Sequence, residues 1–517
     1  MATLPYFVLS PSTILSLGGL LRGPDKTAPT PTEDWRKATI DVVIPALNEA
    51  QNIVLCLASV ARQSVRPRRI ILVDDGSSDG TVERAKAFCA SQQIELIAIQ
   101  RRAPIGKTPT IKRQAREFDS DVEFILDADT VLEAPNYIER TVQELYQGVG
   151  IASACGTILP QRSSDRLRAQ SDPRVRAFTA THPLAPAGGN NWLRTARRGV
   201  TNMYREVLYV YLQRFVYRGQ MAYLGTTTNP VGCAVAYRRK YVCALFDYIS
   251  PILGDDLTNS EDIFIGFSML NEGYRNVQLS DVHARTVEPE IHRLPRQIYL
   301  WSSSFLQSCY YFDPLVRSPF KMIKRWWAQR RARWTSRAVE TARWHATTAS
   351  FGPAFPAGRG MGGGIEKSFG LTRGALPEAQ TPHGDVRPGA AGSNRGYERR
   401  VVREAYRQGF GRARTESHGR PAGWILALSA AEKVFFPTTL LIMLLLRLWE
   451  ELAVTVACET VVCVAGLMFV MKGRRLEFLL KGLAVTPIRY ALLGSELITI
   501  GRFASDLWIT RNRKWRK

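Results

Sequence analysis

Short apolar runs alternate with stretches of helical periodicity through the first 160 residues. Ile40-Asp-Val-Val-Ile-Pro-Ala-Leu-Asn-Glu49 reads as a strand leaving into a loop, with Ile53, Leu57, Val60 and Ala61 following at helical spacing and Asn48 as the candidate N-cap. A second strand runs from Arg69 into Asp74-Asp75-Gly76, and a helix follows from Val82 to Ser91. Ile94–Ile99 predicts a third strand, after which Gly106-Lys-Thr-Pro-Thr opens a helix with Pro109 in its first turn. The fourth strand, Val122 to Leu126, ends abruptly in Asp127-Ala-Asp129, and Ile151–Leu159 makes a fifth. Strands that are continuously apolar and separated by helices predict a doubly wound, mostly parallel α/β sheet.

The pattern loosens over 161–230, where Pro/Gly clusters at 183–191 precede a predicted helix from Val200 to Tyr217. Gly232–Tyr241 is a further strand running into a basic turn, and Gly254-Asp-Asp-Leu-Thr-Asn-Ser-Glu-Asp262 leads into a helix from Ile263 to Glu272, stopped by Gly273. Phe320, Ile323, Trp327 and Trp334 form one helical stripe among Lys321, Lys324, Arg325, Arg330, Arg331 and Arg333. A basic helix with Trp anchors at 316–345 is the pattern of a segment lying in a membrane interface. Nucleic acid could use similar chemistry, but the apolar segments further on favour a membrane. Residues 346–423 hold 16 of the 39 glycines and few large apolar side chains, and read as a disordered insertion.

Two apolar runs, about 434–449 and 452–471, are separated by Glu450-Glu451 and read as a transmembrane hairpin; the second has about the length a bilayer core requires. Lys433 and Lys472–Arg475 flank one side of the hairpin, which makes that side cytoplasmic. Glu459 lies mid-span, where a helix–helix hydrogen bond is the expected role. Residues 476–500 are apolar but broken by Lys481, Pro487 and Arg489, and read as an interfacial segment before a basic tail. At the other end, 4–21 is a moderately apolar stretch that is either interfacial or partly inserted. The organisation is therefore an N-terminal segment (1–39), an α/β domain (40–315), the interface helix, the insertion and a membrane-associated region (424–517).

The formal net charge of +23 (69 basic less 46 acidic residues) calls for anionic partners such as nucleotides or lipids. Eight cysteines without a CxxC pair argue against a zinc module or a disulfide framework and for a reducing compartment.

Acidic strand ends carry the candidate chemistry. Ligands of open α/β sheets bind beyond the carboxyl ends of the strands, where Asp74, Asp75, Asp127 and Asp129 fall. Two carboxylates there suit a hard divalent cation that also holds substrate phosphates. Lys107 adds a cation at a helix start, whose dipole also favours phosphate. In order, the segments "VVIPALNE", "VDDGSSDGT", "IGKTPT", "LDADT", "VGCAVAYRR", "SEDIFIG" and "QIYLW" resemble the membrane-bound family 2 glycosyltransferases, the group of the cellulose, chitin and hyaluronan synthases and of many lipid-linked sugar transferases.

The resemblance covers roughly 40–315 and implies a GT-A fold, a nucleotide-sugar donor and Mg²⁺ or Mn²⁺. It places Asp74 and Asp75 at the base and ribose, Lys107 near the base or diphosphate, Asp127 on the donor and Asp129 on the metal. "SED" stands where the family has Thr-Glu-Asp, making Asp262 the general base that deprotonates an acceptor hydroxyl; Asp256, in Gly-Asp-Asp, is the rival. His283 is either an extra metal ligand or structural. The family's Gln-x-x-Arg-Trp appears as Gln297-Ile-Tyr-Leu-Trp301, so Leu300 replaces a phosphate-contacting arginine for which Arg293 or Arg296 could compensate, while Gln297 and Trp301 remain for diphosphate and acceptor.

The expectation is thus a membrane-associated inverting transferase with a cytoplasmic catalytic domain at the inner membrane. Its acceptor is a polysaccharide or a lipid-linked glycan, in exopolysaccharide or cell-envelope synthesis. A single-addition glycolipid-forming enzyme is the first alternative, and an inactive transferase-like scaffold binding an anionic partner the second. Membrane lipids are expected partners, nucleic acid is not, and oligomer or secretion partners are left open.

Overall fold

The computed structural model describes residues 11–22, 33–148, 150–183, 192–253, 260–349 and 410–510. The rival base Asp256, the 184–191 cluster, residues 350–409 of the insertion and the basic tail 511–517 lie outside the described residues.

One mixed sheet organises the catalytic domain. Its strands are β1 (Ile40–Ala46), β2 (Arg69–Asp74), β3 (Leu96–Gln100), β4 (Val122–Leu126), β5 (Thr130–Leu132), β6 (Ile151–Pro160), β7 (Ala234–Arg238) and β8 (Arg275–Thr286), in the order β3-β2-β1-β4-β7-β6-β8-β5. The first four pair in parallel, in keeping with their largely apolar runs, interrupted only by Asp41 in β1 and Glu123 in β4 within the buried strands. The sheet then departs from the doubly wound expectation. β7 pairs antiparallel with both β4 and β6, and β6 is parallel only to β8. This is the GT-A-like arrangement, a parallel half extended by a mixed half. The short β5, which carries the chain away from Asp129, pairs antiparallel with β8.

Strand alternation divides the core. Val42, Ile44, Leu72 and Phe124 point to the side of α2 (Ile53–Ala61) and α3 (Thr81–Ser91), and Val43, Ile71 and Ile125 to the side of α4 (Lys107–Glu117). Each such fully buried side chain contributes about 1.5–3 kcal/mol. Asn48 is not the cap of α2. The helix starts after Asn52, and Asn48, in the left-handed region at φ 58°, accepts from the Ser78 amide to tie two loops together.

Preceding the sheet, α1 (Pro11–Arg22) crosses α6 (Arg218–Leu224) so closely that a Cβ on Gly19 would lie 2.0 Å from the Gly219 carbonyl oxygen. Between β6 and β7 runs α5 (Trp192–Tyr209), continued by a π-helical stretch, Val210–Tyr217, and by α6. After β7 come α7 (Glu261–Glu272), stopped by Gly273 at φ 91°, and α8 (Leu294–Tyr311).

The described end of the glycine-rich insertion is structured. Residues 412–418 form a helix, and Arg420, fully buried, donates from Nε to the Thr415 hydroxyl at 2.7 Å beneath Gly273. The membrane region holds α9 (Ala422–Leu445), α10 (Trp449–Val470) and α11 (Arg475–Trp508), and by length and composition three helices can cross a bilayer, where two were expected. The first apolar run is lengthened backward through Lys433 into α9. The segment expected to be interfacial is one continuous helix. Near its ends α11 meets the catalytic domain, through Lys481 on Glu206 and Arg502 on Tyr299, so it lies alongside that domain for much of its length.

Residues 320–397 form a separate unit, whose described part is helical within Ser318–Ala349. Trp327 and Trp334 are exposed there as the stripe predicts, and Arg330 lies over the rings of Trp326 and Trp334.

Candidate functional site

The carboxyl ends of β1 and β4, the start of α4, the turn before β7, the start of α7 and helix α8 enclose a cavity of about 1050 Å³. Lys107, Asp127, Asp129, Asp262, Arg296, Gln297 and Trp301 all line it. Asp74 and Asp75 do not. Asp74 is turned back to accept the Ser77 amide at 3.1 Å. Asp75 accepts from the amides of Ile105 and Gly106 at 2.9 and 2.7 Å and from Arg101 at 3.1 Å. Burial opposes its charge, but those three donors outweigh it and hold its pKa below the usual range. Asp75 thereby fixes the loop that presents Lys107.

Lys107 is the electrostatic hub. Its ammonium lies 2.7 Å from Asp127 Oδ1, 2.8 Å from Glu261 Oε1 and 3.0 Å from the Gly232 carbonyl. Burial works against the charge, yet the two carboxylates raise its pKa well above the ordinary lysine value. With three donors and three acceptors Lys107 is saturated, so its task is to hold Asp127 and the start of α7. Glu261 is a member of the site that sequence reasoning passed over, although it stands inside "SED".

Asp129 has no such cation. Among the described residues it accepts only from the hydroxyls of Thr130 (3.2 Å) and Thr286 (3.3 Å), while burial, Asp127 and Glu49 push it up to about 8. Glu49, also unassigned from sequence, is raised by burial first and then by Asp127 and Asp79, against the hydrogen bond from Asn52. Asp129 and Glu49, crowded beside Asp127 and without an ion pair of their own among the described residues, fit a hard divalent cation that takes its remaining oxygens from a substrate diphosphate and water. His283 does not line the cavity; its carbonyl accepts from the Glu133 amide.

Asp262 sits at the first turn of α7 and accepts from the amides of Gly232 (3.2 Å) and Ile263 (2.9 Å). Burial and then Glu261 raise it to about 7. That is the range a general base needs near neutral pH. Ser260, just before it, is held at φ 44°, a left-handed conformation unusual for a non-glycine residue and common where a site is constrained. Gly232 is required by contact: a Cβ there would lie 2.8 Å from Asp262 Cβ.

On α8, Gln297 and Trp301 are organised by Arg205 of α5, a fully buried arginine absent from the sequence expectations. Its guanidinium meets Glu288 at 3.2 Å, hydrogen-bonds Gln297 and lies 4.5 Å over the Trp301 ring. No spacing signal could have found it, because it reaches the site from the irregular 161–230 region. Leu300 lines the cavity as a leucine, and Arg198, Arg293 and Arg296 line it with no carboxylate partner among the described residues. These are the cations available to a diphosphate. Arg293 and Arg296 are exposed and line the cavity.

A second chamber, about 560 Å³, lies between the catalytic domain and helices α9–α11. Its lining is largely apolar, with Leu212, Phe305, Phe436 and Val462, and it shares Asp262, Trp301, Tyr209 and Val231 with the first cavity. Glu459 of α10 lines it and is bonded to Arg489 and Tyr490 of α11, the helix–helix role expected of it.

Among known proteins, the family model described as Glycosyl transferase family 2 matches residues 41–245. The undecaprenyl-phosphate 4-deoxy-4-formamido-L-arabinose transferase of Pectobacterium carotovorum is 30% identical over 132 residues, 25% of this chain and 39% of the relative. The enzyme of the same name from Yersinia enterocolitica is 27% identical over 140 residues, 26% of this chain and 42% of the relative. The chain thus spans about two-fifths of the length of these curated relatives. Among solved structures, the mannosyltransferase PcManGT of Pyrobaculum calidifontis, in complex with GDP-Man and Mn²⁺, aligns over 98% of both chains at 12% identity and a TM-score of 0.45. Glucosyl-3-phosphoglycerate synthase of Mycobacterium tuberculosis aligns over 56% of this chain and 86% of its own at 17% identity and 0.31. None of these four relatives is a cellulose, chitin or hyaluronan synthase, so the likeness rests at the level of the family 2 domain.

Proposed function

We propose that the protein is a membrane-bound, inverting glycosyltransferase that moves a sugar from a nucleoside-diphosphate sugar to a lipid-linked acceptor. The observation that carries this reading is the sharing of Asp262 and Trp301 by a polar cavity at the strand ends and a largely apolar chamber facing the membrane helices. A donor in the first and an acceptor in the second would meet at a carboxylate titrating near 7. The prenyl-phosphate acceptors in the relatives' names favour a lipid-linked acceptor over a growing polysaccharide.

In this reading Arg198, Arg293 and Arg296 receive the diphosphate, and Lys107 keeps Asp127 and Glu261 in register beneath the donor. Mg²⁺ or Mn²⁺ held by Asp129 and Asp127 would neutralise the leaving diphosphate. The acceptor oxygen bonds to the anomeric carbon from the side opposite the diphosphate. The carbon–oxygen bond to the diphosphate breaks, and the acceptor's proton passes to Asp262. One displacement inverts the anomeric configuration. Trp301, backed on one face by Arg205, offers an apolar surface where the acceptor crosses between the chambers. Lys472, Arg474 and Arg475 flank the hairpin on the side of the catalytic domain, which supports a cytoplasmic position for that domain.

The test is incubation of the detergent-solubilised protein with a panel of nucleotide sugars and a bacterial lipid extract, reading nucleoside diphosphate release and solvent-extractable label. One donor giving a labelled lipid, with loss of transfer in Asp262→Asn, is the expected result. A ladder of water-soluble oligosaccharides would replace this reading with polysaccharide synthesis, and no turnover of any donor would leave only the scaffold.

A further inference from the structure

A third, small cavity of about 80 Å³ lies where the turn between α10 and α11 meets the catalytic domain, and it shares no lining residue with the other two. Four arginines, Arg162, Arg214, Arg285 and Arg474, and one carboxylate, Glu206, line it. Most of the charge is matched. Glu206 takes Arg162 at 2.5 Å and Lys481 at 2.7 Å, with Arg474 at 3.6 Å. Glu477 also meets Arg474 and Lys481, and Arg285 is held by Glu133 and Asp165 at 3.2 and 3.1 Å.

Arg214 is the cation left over. It stands in the π-helical stretch, and its guanidinium has no carboxylate partner among the described residues. It donates instead to the Met471 sulfur at 3.5 Å, a weak acceptor. Burial and the like charges of Arg218 and Arg474 press its pKa down, as they do where a cation lacks a counter-ion. Guanidinium forks converging on a pocket with one charge to spare are a phosphate site in geometry and in sign. At about 30 Å³ per water the volume admits a phosphate group and excludes a nucleotide.

Position decides the source of that phosphate. Met471 and Arg474 belong to the turn that ends the α10 span, beside Lys472 and Arg475, which is the depth of the lipid headgroups. Leu476 and Leu480 project from the first turns of α11 with 69% and 60% exposure, an apolar surface for acyl chains next to the pocket. We propose that the four-arginine cavity binds the headgroup phosphate of an anionic membrane lipid. The site is independent of the transferase reading and stands or falls without it.

The full-length protein in neutral detergent is titrated with phosphatidylglycerol, phosphatidylcholine or inorganic phosphate, and the thermal unfolding midpoint is followed by tryptophan fluorescence. Phosphatidylglycerol raises the midpoint saturably, phosphatidylcholine does not, and inorganic phosphate acts only at far higher concentration. Arg214→Gln weakens the phosphatidylglycerol response about tenfold or more, the fold-change for one charge-assisted hydrogen bond. Arg218→Gln, which removes an exposed neighbouring charge, leaves it unchanged. If Arg214→Gln does not fold, Arg214→Lys, which keeps the charge and loses the fork, must still weaken the response. Equal binding by the Arg214 variants overturns the site, and inorganic phosphate acting as strongly as the lipid overturns the lipid assignment.

Discussion

Replacing Gly232 by alanine tests whether Asp262 acts from a position set to a fraction of an ångström. The added methyl carbon would lie 2.8 Å from Asp262 Cβ, 3.0 Å from Cγ and 3.1 Å from Oδ2. Carbon–carbon contacts are comfortable at about 3.5–4.0 Å, so Asp262 or the turn carrying Gly232 must give way by roughly 0.7–1.2 Å. The backbone at Gly232 is not in the left-handed region, so alanine is sterically allowed apart from this one contact. A displacement of about 1 Å at a reacting group costs about 10²-fold in rate, or about 2.7 kcal/mol of barrier. The same shift lengthens the 3.2 Å hydrogen bond from the Gly232 amide, one of two that favour the ionised carboxylate, so the pKa of Asp262 climbs further. Gly232→Ala should therefore lower kcat about a hundredfold, move the acidic limb of the pH profile upward, and leave KM for the donor within a few-fold. Initial rates of nucleoside diphosphate release across pH 5.5–9 would measure all three. A variant with wild-type kcat would falsify the placement of Asp262 at the reacting centre.

Three further outcomes follow from the same electrostatics. Asp262 has its pKa raised to about 7, so it is protonated below that pH; activity should be full above about 8 and fall tenfold per unit below about 6, a limb that pH–rate measurements would find absent if another group were the base. Asp129, raised to about 8, binds a proton more tightly folded than unfolded, so its contribution to stability is present below pH 4 and is lost as pH rises to 8; Mn²⁺ should therefore raise the unfolding midpoint more at pH 8 than at pH 6, and Asp129→Asn should abolish that difference in differential scanning fluorimetry. Arg205→Met removes one partner of a buried ion pair and strands Glu288, a loss of about 3–5 kcal/mol; the double variant with Glu288→Leu should recover most of the midpoint without recovering acceptor KM, because Trp301 still lacks its support.

The parallel half of the sheet was legible because β1, β2 and β4 are buried on both faces and read as dense apolar runs, with β3 at the edge following the same pattern. Strand β7 was legible too, but its sense and that of β6 were not, since the direction of pairing is decided by partners far away in sequence. The same division runs through the site. Asp127, Asp129, Lys107 and Asp262 come from strand and helix ends, where local pattern fixes the backbone, and the fold brings all four to one cavity. Asp75 shows the limit of that inference. It stands at a strand end as expected, but two amides and Arg101 have claimed both of its oxygens, and no one-dimensional pattern records which acceptors are already spent.

Arg205 carries the point furthest. Leu300 reads from the sequence as a missing cation, to be made good by an arginine a turn away on the same helix. The cavity does contain Arg293 and Arg296, yet Gln297 and Trp301 are held by an arginine 92 residues earlier in the chain. In the proposed reading, diphosphate binding and side-chain positioning, which one motif would combine, are divided between exposed arginines at the mouth and a buried one behind the wall. The two roles predict different signatures. Loss of Arg296 should raise donor KM at constant stability, whereas loss of Arg205 should be felt first in folding and in the acceptor.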